Sequence, residues 1–382
     1  MKILFLDQFS ELGGAQRALI DTVDAVSERG WKSHAAIPSA GPLVEQLRSR
    51  GLDVTSIPCG PYRSQRKSAA DFVRLAFDLR EQTRVIRNLA AHPGFDLIYV
   101  NGPRLLPAAA LACGRGTPVL FHAHSHVSQT IAAKFTGWSL ARANATIIAC
   151  SNSVLEPLRR YANNRSYVIP NGAPDLGFHE RQFSREKSWR IGMIARISPE
   201  KGQLEFLQAA ALLTLEFSTA RFLICGAPLF AETNYYQRVR KLAEGLPVEF
   251  LGWRENVAPV FAGLDLLVAP STEEGMGRVL AEAFSAGVPV VAFPTGGIPE
   301  LVIDQETGFL TRDLSAKSLA ARIREIIVMD PQALRTVAAN ARKKWELCYT
   351  VAGYQQRITA VMEKLVAASQ ADHEKAALPQ RR

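Results

Sequence analysis

Four residues carry the strongest chemical suggestion in this chain: Arg196 and Lys201 in ARISPEKG, and Glu274 and Glu282 in EGMGRVLAEAF. Glu274 follows the apolar run LLVAPS and precedes Gly275, Met276 and Gly277, and the spacing predicts a helix opening near Arg278. The first amides of a helix have no partner inside it and its dipole is positive at that end, so a phosphate would be stabilised there. The two glycines leave the backbone open to a ligand. Glu282 would lie about 6 Å further along the axis. Carboxylates flanking a phosphate repel it, but they accept hydrogen bonds from hydroxyls. A ligand with hydroxyls on both sides of its phosphates has the layout of a nucleotide sugar: ribose, diphosphate, hexose. Taken alone, the glutamate pair also fits solvated surface charge.

Arg196 and Lys201 supply the missing positive charge. Arg196 follows a strand-like run, Ser198 is placed as an N-cap with Pro199 at the first helical position, and Lys201 falls in the opening turn of the next expected helix. A cation is mildly unfavourable at a helix N-terminus, which suggests that an anion joins it. Arg as a fork and Lys as a point charge suit the two phosphates of a leaving diphosphate.

The first half of the chain has its own candidates. Gly13-Gly14 follows the first strand and opens a helix, but the spacing is not GxGxxG, which disfavours a nicotinamide cofactor; a tight strand-to-helix turn explains the pair equally well. FHAHSH places His122, His124 and His126 at a strand end, with alternate spacing that points all three to one face. No nearby carboxylate or cysteine completes a metal set, and the chain contains no DxD, so a metal-free site is expected. Asn101-Gly102, after another strand, is a candidate for the acceptor side or a plain turn.

These residues need elements to hold them after strands. Short, continuous apolar runs at 2–9, 33–39, 53–58, 96–102, 119–125, 145–151 and 167–172 alternate with helical segments at 15–29, 65–91, 104–114 and 152–161. Runs apolar on both faces suit parallel strands covered by helices. A polar, turn-rich stretch over 171–190 reads as a linker, and a second alternation begins at 190. Its strands are expected at 190–197, 221–227, 248–253, 266–271, 288–293 and 308–311, and its helices at 201–217, 231–244, 256–263, 278–286, 316–328, 331–345 and 351–368. The expected architecture is α/β: two Rossmann-like doubly wound domains facing across a cleft, with ligands outside the carboxyl ends of the strands. The expected divisions are 1–182, 183–350, a helix over 351–370 and a disordered tail over 371–382.

Composition narrows the class. With 382 residues, 47% hydrophobic and 21% charged, the chain suits two packed domains. Its five cysteines, Cys59, Cys113, Cys150, Cys225 and Cys348, show no metal-like spacing and read as small buried hydrophobes. Asp7 interrupts the first apolar run, no cleavage site follows it, and no stretch reaches membrane-spanning length, so a cytoplasmic protein is expected. Residues 1–182 hold 21 Lys and Arg against 14 Asp and Glu; residues 183–382 hold 24 against 22. The basic excess thus belongs to the first half. Part of it lies in the amphipathic segment 62–92, where Arg63, Arg66, Lys67, Arg74, Arg80, Arg84 and Arg87 accompany an apolar stripe of Phe72, Leu75, Leu79, Ile86 and Leu89. An anionic membrane surface suits that pattern, and so does a helix facing its own core. Nucleic acid is disfavoured, because no aromatic-interleaved basic motif is present.

The motifs ARISPEKG, EGMGRVLAEAFSAGVPVVAFPTGGIPELV, TGFL, VIPNG and ELGGAQRAL together resemble the family-four retaining glycosyltransferases of the GT-B fold. The resemblance covers the second half densely and the first half thinly. It implies transfer of a hexose from a nucleoside diphosphate sugar to a sugar or lipid-linked hydroxyl, with retention and without a metal or other cofactor. Glu274 would contact the donor sugar and Glu282 the ribose; Arg196, Lys201 and the amides of Gly277, Arg278 and Val279 would hold the diphosphate. Gly13 and Gly14 would lie near the donor phosphates, and His124 would approach the donor sugar. His122 and His126 would pack or serve the acceptor side with Asn101. Met276 stands where the family often has an aromatic, and Arg278-Val279 where it often has Leu-Pro. A sugar-nucleotide epimerase or a non-catalytic sugar-nucleotide-binding protein would fit the same architecture.

Overall fold

A computed structural model describes residues 1–38, 40–60, 69–91, 94–113, 117–127, 130–184, 187–228 and 233–377. The chain forms two units, Met1–Pro170 with Ala352–Arg382, and Asn171–Val351. In the first half the elements are β1 (Lys2–Asp7), α1 (Gly14–Glu28), β2 (Lys32–Ile37), α2 (Pro42–Ser49), β3 (Asp53–Ser56), α3 (Ala69–Ala91) and β4 (Leu97–Asn101). They continue with α4 (Leu106–Ala112), β5 (Val119–Ala123), α5 (Thr130–Arg142), β6 (Thr146–Ala149), α6 (Asn152–Leu155) and β7 (Ser166–Val168). The second half begins with β8 (Arg190–Ile194), α7 (Gln203–Thr214), β9 (Arg221–Cys225), α8 (Thr233–Leu242), β10 (Val248–Gly252), α9 (Ala258–Ala262) and β11 (Leu266–Ala269). It ends with α10 (Arg278–Ser285), β12 (Val290–Ala292), α11 (Ile298–Leu301), β13 (Phe309–Leu310), α12 (Ala316–Ile327), α13 (Pro331–Cys348) and α14 (Val351–Ala377).

The first unit is a seven-stranded parallel sheet in the order β3-β2-β1-β4-β5-β6-β7. From β1 the chain winds one way to β2 and β3, then crosses to β4 and winds the other way. Right-handed crossovers therefore place α1 and α2 on one face and α3, α4 and α5 on the other. Strand alternation follows: Ile3, Phe5, Leu97 and Tyr99 point into the core shared with Leu19 and Val23 of α1. The terminal helix α14 completes that face through Tyr354, Ile358, Val361 and Met362. Tyr354 is fully buried, and its hydroxyl lies 2.6 Å from Thr22 Oγ1 and 3.2 Å from the Ala18 carbonyl, which answers the cost of burying a phenol.

The second unit is a six-stranded parallel sheet in the order β10-β9-β8-β11-β12-β13. Its winding reverses between β8 and β11. The core on one face gathers Ile191, Met193, Phe222, Ile224, Leu266 and Val268 against α7 and α12.

Several boundaries differ from the sequence expectation. The division falls at 170/171 rather than 182/183, because the stretch read as a linker packs on the second unit. There Arg181 Nε donates to the Gly287 carbonyl, and its other nitrogens reach carbonyls of Phe261, Ala262 and Leu264. The tail expected to be disordered from 371 continues as helix to Ala377; 378–382 lie outside the described residues. The helix expected over 201–217 is split: a 3-10 turn spans Pro199–Lys201, Gly202 takes φ +76°, and α7 starts at Gln203. Three helices, α2, α5 and α11, have no counterpart in the sequence expectation.

Candidate active site

In an open parallel sheet a ligand finds room where the strand order reverses, outside the carboxyl ends of the two strands at that point. In the second unit those strands are β8 and β11. The loop after β8 carries Arg196 and Lys201; the loop after β11 carries Glu274. Lys201 Nζ donates to Glu274 Oε2 at 2.6 Å, joining the two loops across the reversal. The backbone reinforces the junction, since Thr272 N–H donates to the Glu200 carbonyl at 2.9 Å; the Glu274 loop is also tied to the turn after β12, where Gly297 N–H donates to the Glu274 carbonyl at 3.0 Å. Gly202 makes the approach feasible. A Cβ there would lie 2.0 Å from the Pro270 carbonyl oxygen, so no other residue lets the loops meet this closely.

Arg196 is held within its own loop. It donates to Glu200 and, through Nε, to Ser198 Oγ at 3.2 Å, and Ser198 in turn donates to Glu200 at 2.8 Å. Burial pushes the Glu200 carboxyl up, but Arg196, the backbone and Ser198 outweigh it and hold the group below its ordinary value. Glu200 is thus a site residue that the sequence reading missed. Ser198 does not cap a helix through its side chain, and Lys201 ends a 3-10 turn instead of sitting in the first turn of α7. The cation therefore faces the reversal through the turn and not through a helix start.

The helix expected near Arg278 is α10, and it begins at that residue. Gly277 precedes it at φ +86°, a conformation that glycine adopts without strain, and this turns the chain from the Glu274 loop into the helix. Val279 lies in its first turn. Glu282, one turn in, is buried and pairs with Arg278, Nε to Oε1 at 3.4 Å. Arg278 was expected to serve through its amide; its side chain also neutralises Glu282. Met276 is buried, and its sulfur accepts from the Asn171 amide at 3.2 Å.

In the first unit the strand order reverses between β1 and β4, and the last residues of those strands meet there. Asn101 Nδ2 donates to Asp7 Oδ2, and Asn101 Oδ1 lies 2.7 Å from His124 Nε2. Gln16 of α1 donates to both Asp7 oxygens at 3.1 and 3.2 Å and accepts from the Gly13 amide at 3.2 Å. Asp7 is 1% exposed; burial pushes its carboxyl up to about 7, against donors from Asn101, Phe9, Gln16 and Gln8 that act to lower it. The sequence reading used Asp7 only as a break in an apolar run and overlooked Gln16. Strand parity would have shown Asp7, after Ile3 and Phe5, on the α1 side at the reversal. Neither Gly13 nor Gly14 has a positive φ, and a Cβ at Gly14 would meet open space, so the turn itself does not require the glycine pair.

The three histidines do not share one face. The strand β5 ends at Ala123. His122 is fully buried, with Nδ1 on the Tyr99 hydroxyl and its ring 3.8 Å from that of His124. Burial first and His124 second hold it well below the usual histidine range, so it is neutral. It packs, and the acceptor-side expectation for it fails because its side chain has no exposed surface. His126 turns to Ser153 Oγ of α6 at 2.9 Å. Among the described residues no three His, Cys, Asp or Glu side chains converge as a metal set.

Comparison with known proteins gives the family. Residues 12–175 match the family model described as Glycosyltransferase Family 4, and residues 188–328 match that described as Glycosyl transferases group 1. The chain belongs to the GT-B glycosyltransferases. This glycosyltransferase is 26% identical over 369 residues to the sulfoquinovosyl transferase of Arabidopsis thaliana, covering 88% of this chain and 68% of that one. It is 25% identical over 406 residues to the D-inositol 3-phosphate glycosyltransferase of Geodermatophilus obscurus, covering 94% and 87%. Matches to inositol 3-phosphate enzymes of other bacteria span only 35% to 40% of their length. Among solved structures, Anabaena HepE in complex with UDP and glucose aligns with a TM-score of 0.78 at 26% identity, over 96% of this chain and 100% of that one.

Proposed function

We propose that this glycosyltransferase moves a hexose from a nucleoside diphosphate sugar to a hydroxyl acceptor, with retention at the anomeric carbon. The observation that carries the reading is the Lys201–Glu274 pair across the β8/β11 reversal, beside the start of α10. Departure of the diphosphate is the costly event, and it leaves negative charge on phosphate oxygens. Lys201, Arg196 and the amides of Gly277, Arg278 and Val279 are pre-placed donors for that charge, and such donors lower a barrier without reorganising during the reaction. Glu274, released from Lys201 when phosphate takes its place, accepts from hydroxyls of the hexose. Glu282 accepts from the ribose. HepE, solved with UDP and glucose and with UDP-glucose, makes UDP the first nucleotide to test. Retention, a front-face course and a role for His124 near the donor sugar rest on the family resemblance.

The cationic groups stand in this reading where a divalent ion stands elsewhere, so the expected reaction is indifferent to chelators. Lys201→Ala should abolish the thermal shift given by UDP and most transfer, with the melting temperature of the free protein little changed. Retained nucleotide binding in that variant contradicts the assignment, as does transfer that stops in chelator and returns with Mg²⁺.

A lipid-linked acceptor in polysaccharide or glycolipid synthesis, reached from the cytoplasmic face of a membrane, completes the proposal. The outer faces of α3 and α5 support it. On α5, Ile131, Phe135 and Trp138 are exposed at 78%, 39% and 45%, with Lys134 and Arg142 beside them and no acidic residue on the helix. On α3, Val73 and Phe77 are exposed among Arg74 and Arg80, while Asp78 is buried and Glu81 is paired with Arg84. Leu75, Leu79, Ile86 and Leu89 of the expected stripe are partly or fully buried; Arg63, Arg66 and Lys67 and the Phe72 side chain lie outside what the structure describes. Aromatic residues beside cations suit the interface of an anionic bilayer. No described helix is long and apolar enough to cross one.

A further inference from the structure

The chain Asp7–Asn101–His124 runs from β1 through β4 to the end of β5, and its hydrogen bonds have only one consistent direction. The Asn101 amide has an oxygen and an NH2 group, and its two ends face different partners. On one side stand Asp7 Oδ2 and the Ala15 carbonyl, the latter 3.3 Å from Nδ2. A carbonyl oxygen only accepts, and Asp7 is ringed by donors: the Phe9 amide at 2.8 Å on Oδ1 and Gln16 Nε2 on both oxygens. A flipped amide would set Oδ1 against both acceptors, and the Ala15 carbonyl forbids that whatever the charge on Asp7. Oδ1 therefore faces His124 Nε2 and accepts. The proton of that bond must sit on Nε2.

We propose that Asn101 is a positioning residue: held by Asp7 and the Ala15 carbonyl, it fixes His124 as the Nε2–H tautomer and sets the plane of its ring. Two further contacts act with it. Cys150 Sγ donates to the His124 carbonyl at 3.5 Å, pinning the backbone, and the neutral His122 ring lies against the His124 ring. With the proton assigned to Nε2, the other nitrogen of a neutral His124 is an acceptor, suited to a hydroxyl of a sugar and not to a carbonyl or phosphate oxygen. This deepens the proposed function and rests on it for the identity of the partner, but not for the tautomer.

The tautomer can be read without turnover. The full chain labelled with 15N in its seven histidines would be recorded in two-bond 1H–15N correlation spectra at pH 8, with the His124 signals identified by their loss in His124→Gln. The expected wild-type pattern has Nε2 protonated and Nδ1 bare. Asn101→Ala should lose that fixed pattern, giving the averaged signals of a ring exchanging between tautomers, together with a fall of at least tenfold in kcat and less than threefold in donor KM. A wild-type Nδ1–H pattern, or an Nε2–H pattern that survives in Asn101→Ala, overturns the proposal. A failure of transfer with the spectra as expected would count against the proposed function instead.

Discussion

Removing Glu274 should strengthen the binding of a bare nucleoside diphosphate while destroying the advantage of the sugar nucleotide. In the structure Lys201 and Glu274 hold each other at 2.6 Å, with side chains 20% and 17% exposed. A diphosphate that takes Lys201 has to break that contact. A partly shielded pair of this kind is worth about 1 kcal/mol, which converts to about fivefold in affinity, and the loss of a negative charge beside the phosphates acts in the same direction. The sugar nucleotide behaves oppositely. Its hexose hydroxyls lose a charged acceptor, worth about 1.5–3 kcal/mol. Isothermal titration of Glu274→Ala with UDP and with UDP-glucose reads both effects. UDP should bind about fivefold tighter than to the wild type, UDP-glucose should bind no tighter than UDP, and transfer should fall about a hundredfold or more. If the variant loses affinity for UDP as Lys201→Ala is expected to, or if both ligands change by one factor, the assignment of phosphate to lysine and hexose to glutamate is wrong.

Three other outcomes follow from the geometry. The Asp7 carboxyl, raised from 3.8 to about 7, stays protonated in the folded state while it ionises in the unfolded one, so its contribution is full below pH 4 and is lost as pH rises to 7. Wild type should therefore lose up to about 4 kcal/mol relative to Asp7→Asn between pH 4 and 7, read by urea unfolding at several pH values; parallel profiles would refute the burial argument. Gly202→Ala combines a left-handed backbone with a clash on the Pro270 carbonyl and should cost about 2–4 kcal/mol with a loss of transfer, measured by thermal unfolding and assay. The double variant Phe135→Ser with Trp138→Ser should sediment less with anionic vesicles while unfolding as the wild type does, whereas unchanged sedimentation would remove α5 from the membrane reading.

Much of the fold was legible because the strands are buried on both faces. A run such as IGMI or LLVA is apolar without interruption, and parallel sheets covered by helices are where such runs belong. The helices that escaped notice have physical reasons. The apolar stripe of α5 points outward, so its sequence does not read as a core helix, and Gly137 weakens the pattern further. Both α2 and α11 are short and start after a glycine with proline in the first turn, which reads as a turn. At the site, Lys201 and Glu274 were recognisable from type and position after strands. Their direct pairing was not, because it depends on Gly202 letting two loops approach that are some 70 residues apart along the chain. Glu200 and Asp7 were missed because one carboxylate looked like helix-start composition and the other like a blemish in a strand. Each becomes visible once strand order shows which loops adjoin.

The most direct test is a structure of this chain with UDP-glucose or another nucleoside diphosphate hexose bound. Lys201 Nζ should then be found on a phosphate oxygen at hydrogen-bond distance, with Glu274 turned from the lysine to the hexose hydroxyls, Glu282 on the ribose and the diphosphate against the first amides of α10. A diphosphate bound away from the β8/β11 reversal, or Lys201 still paired with Glu274 beside a bound nucleotide, would contradict the account.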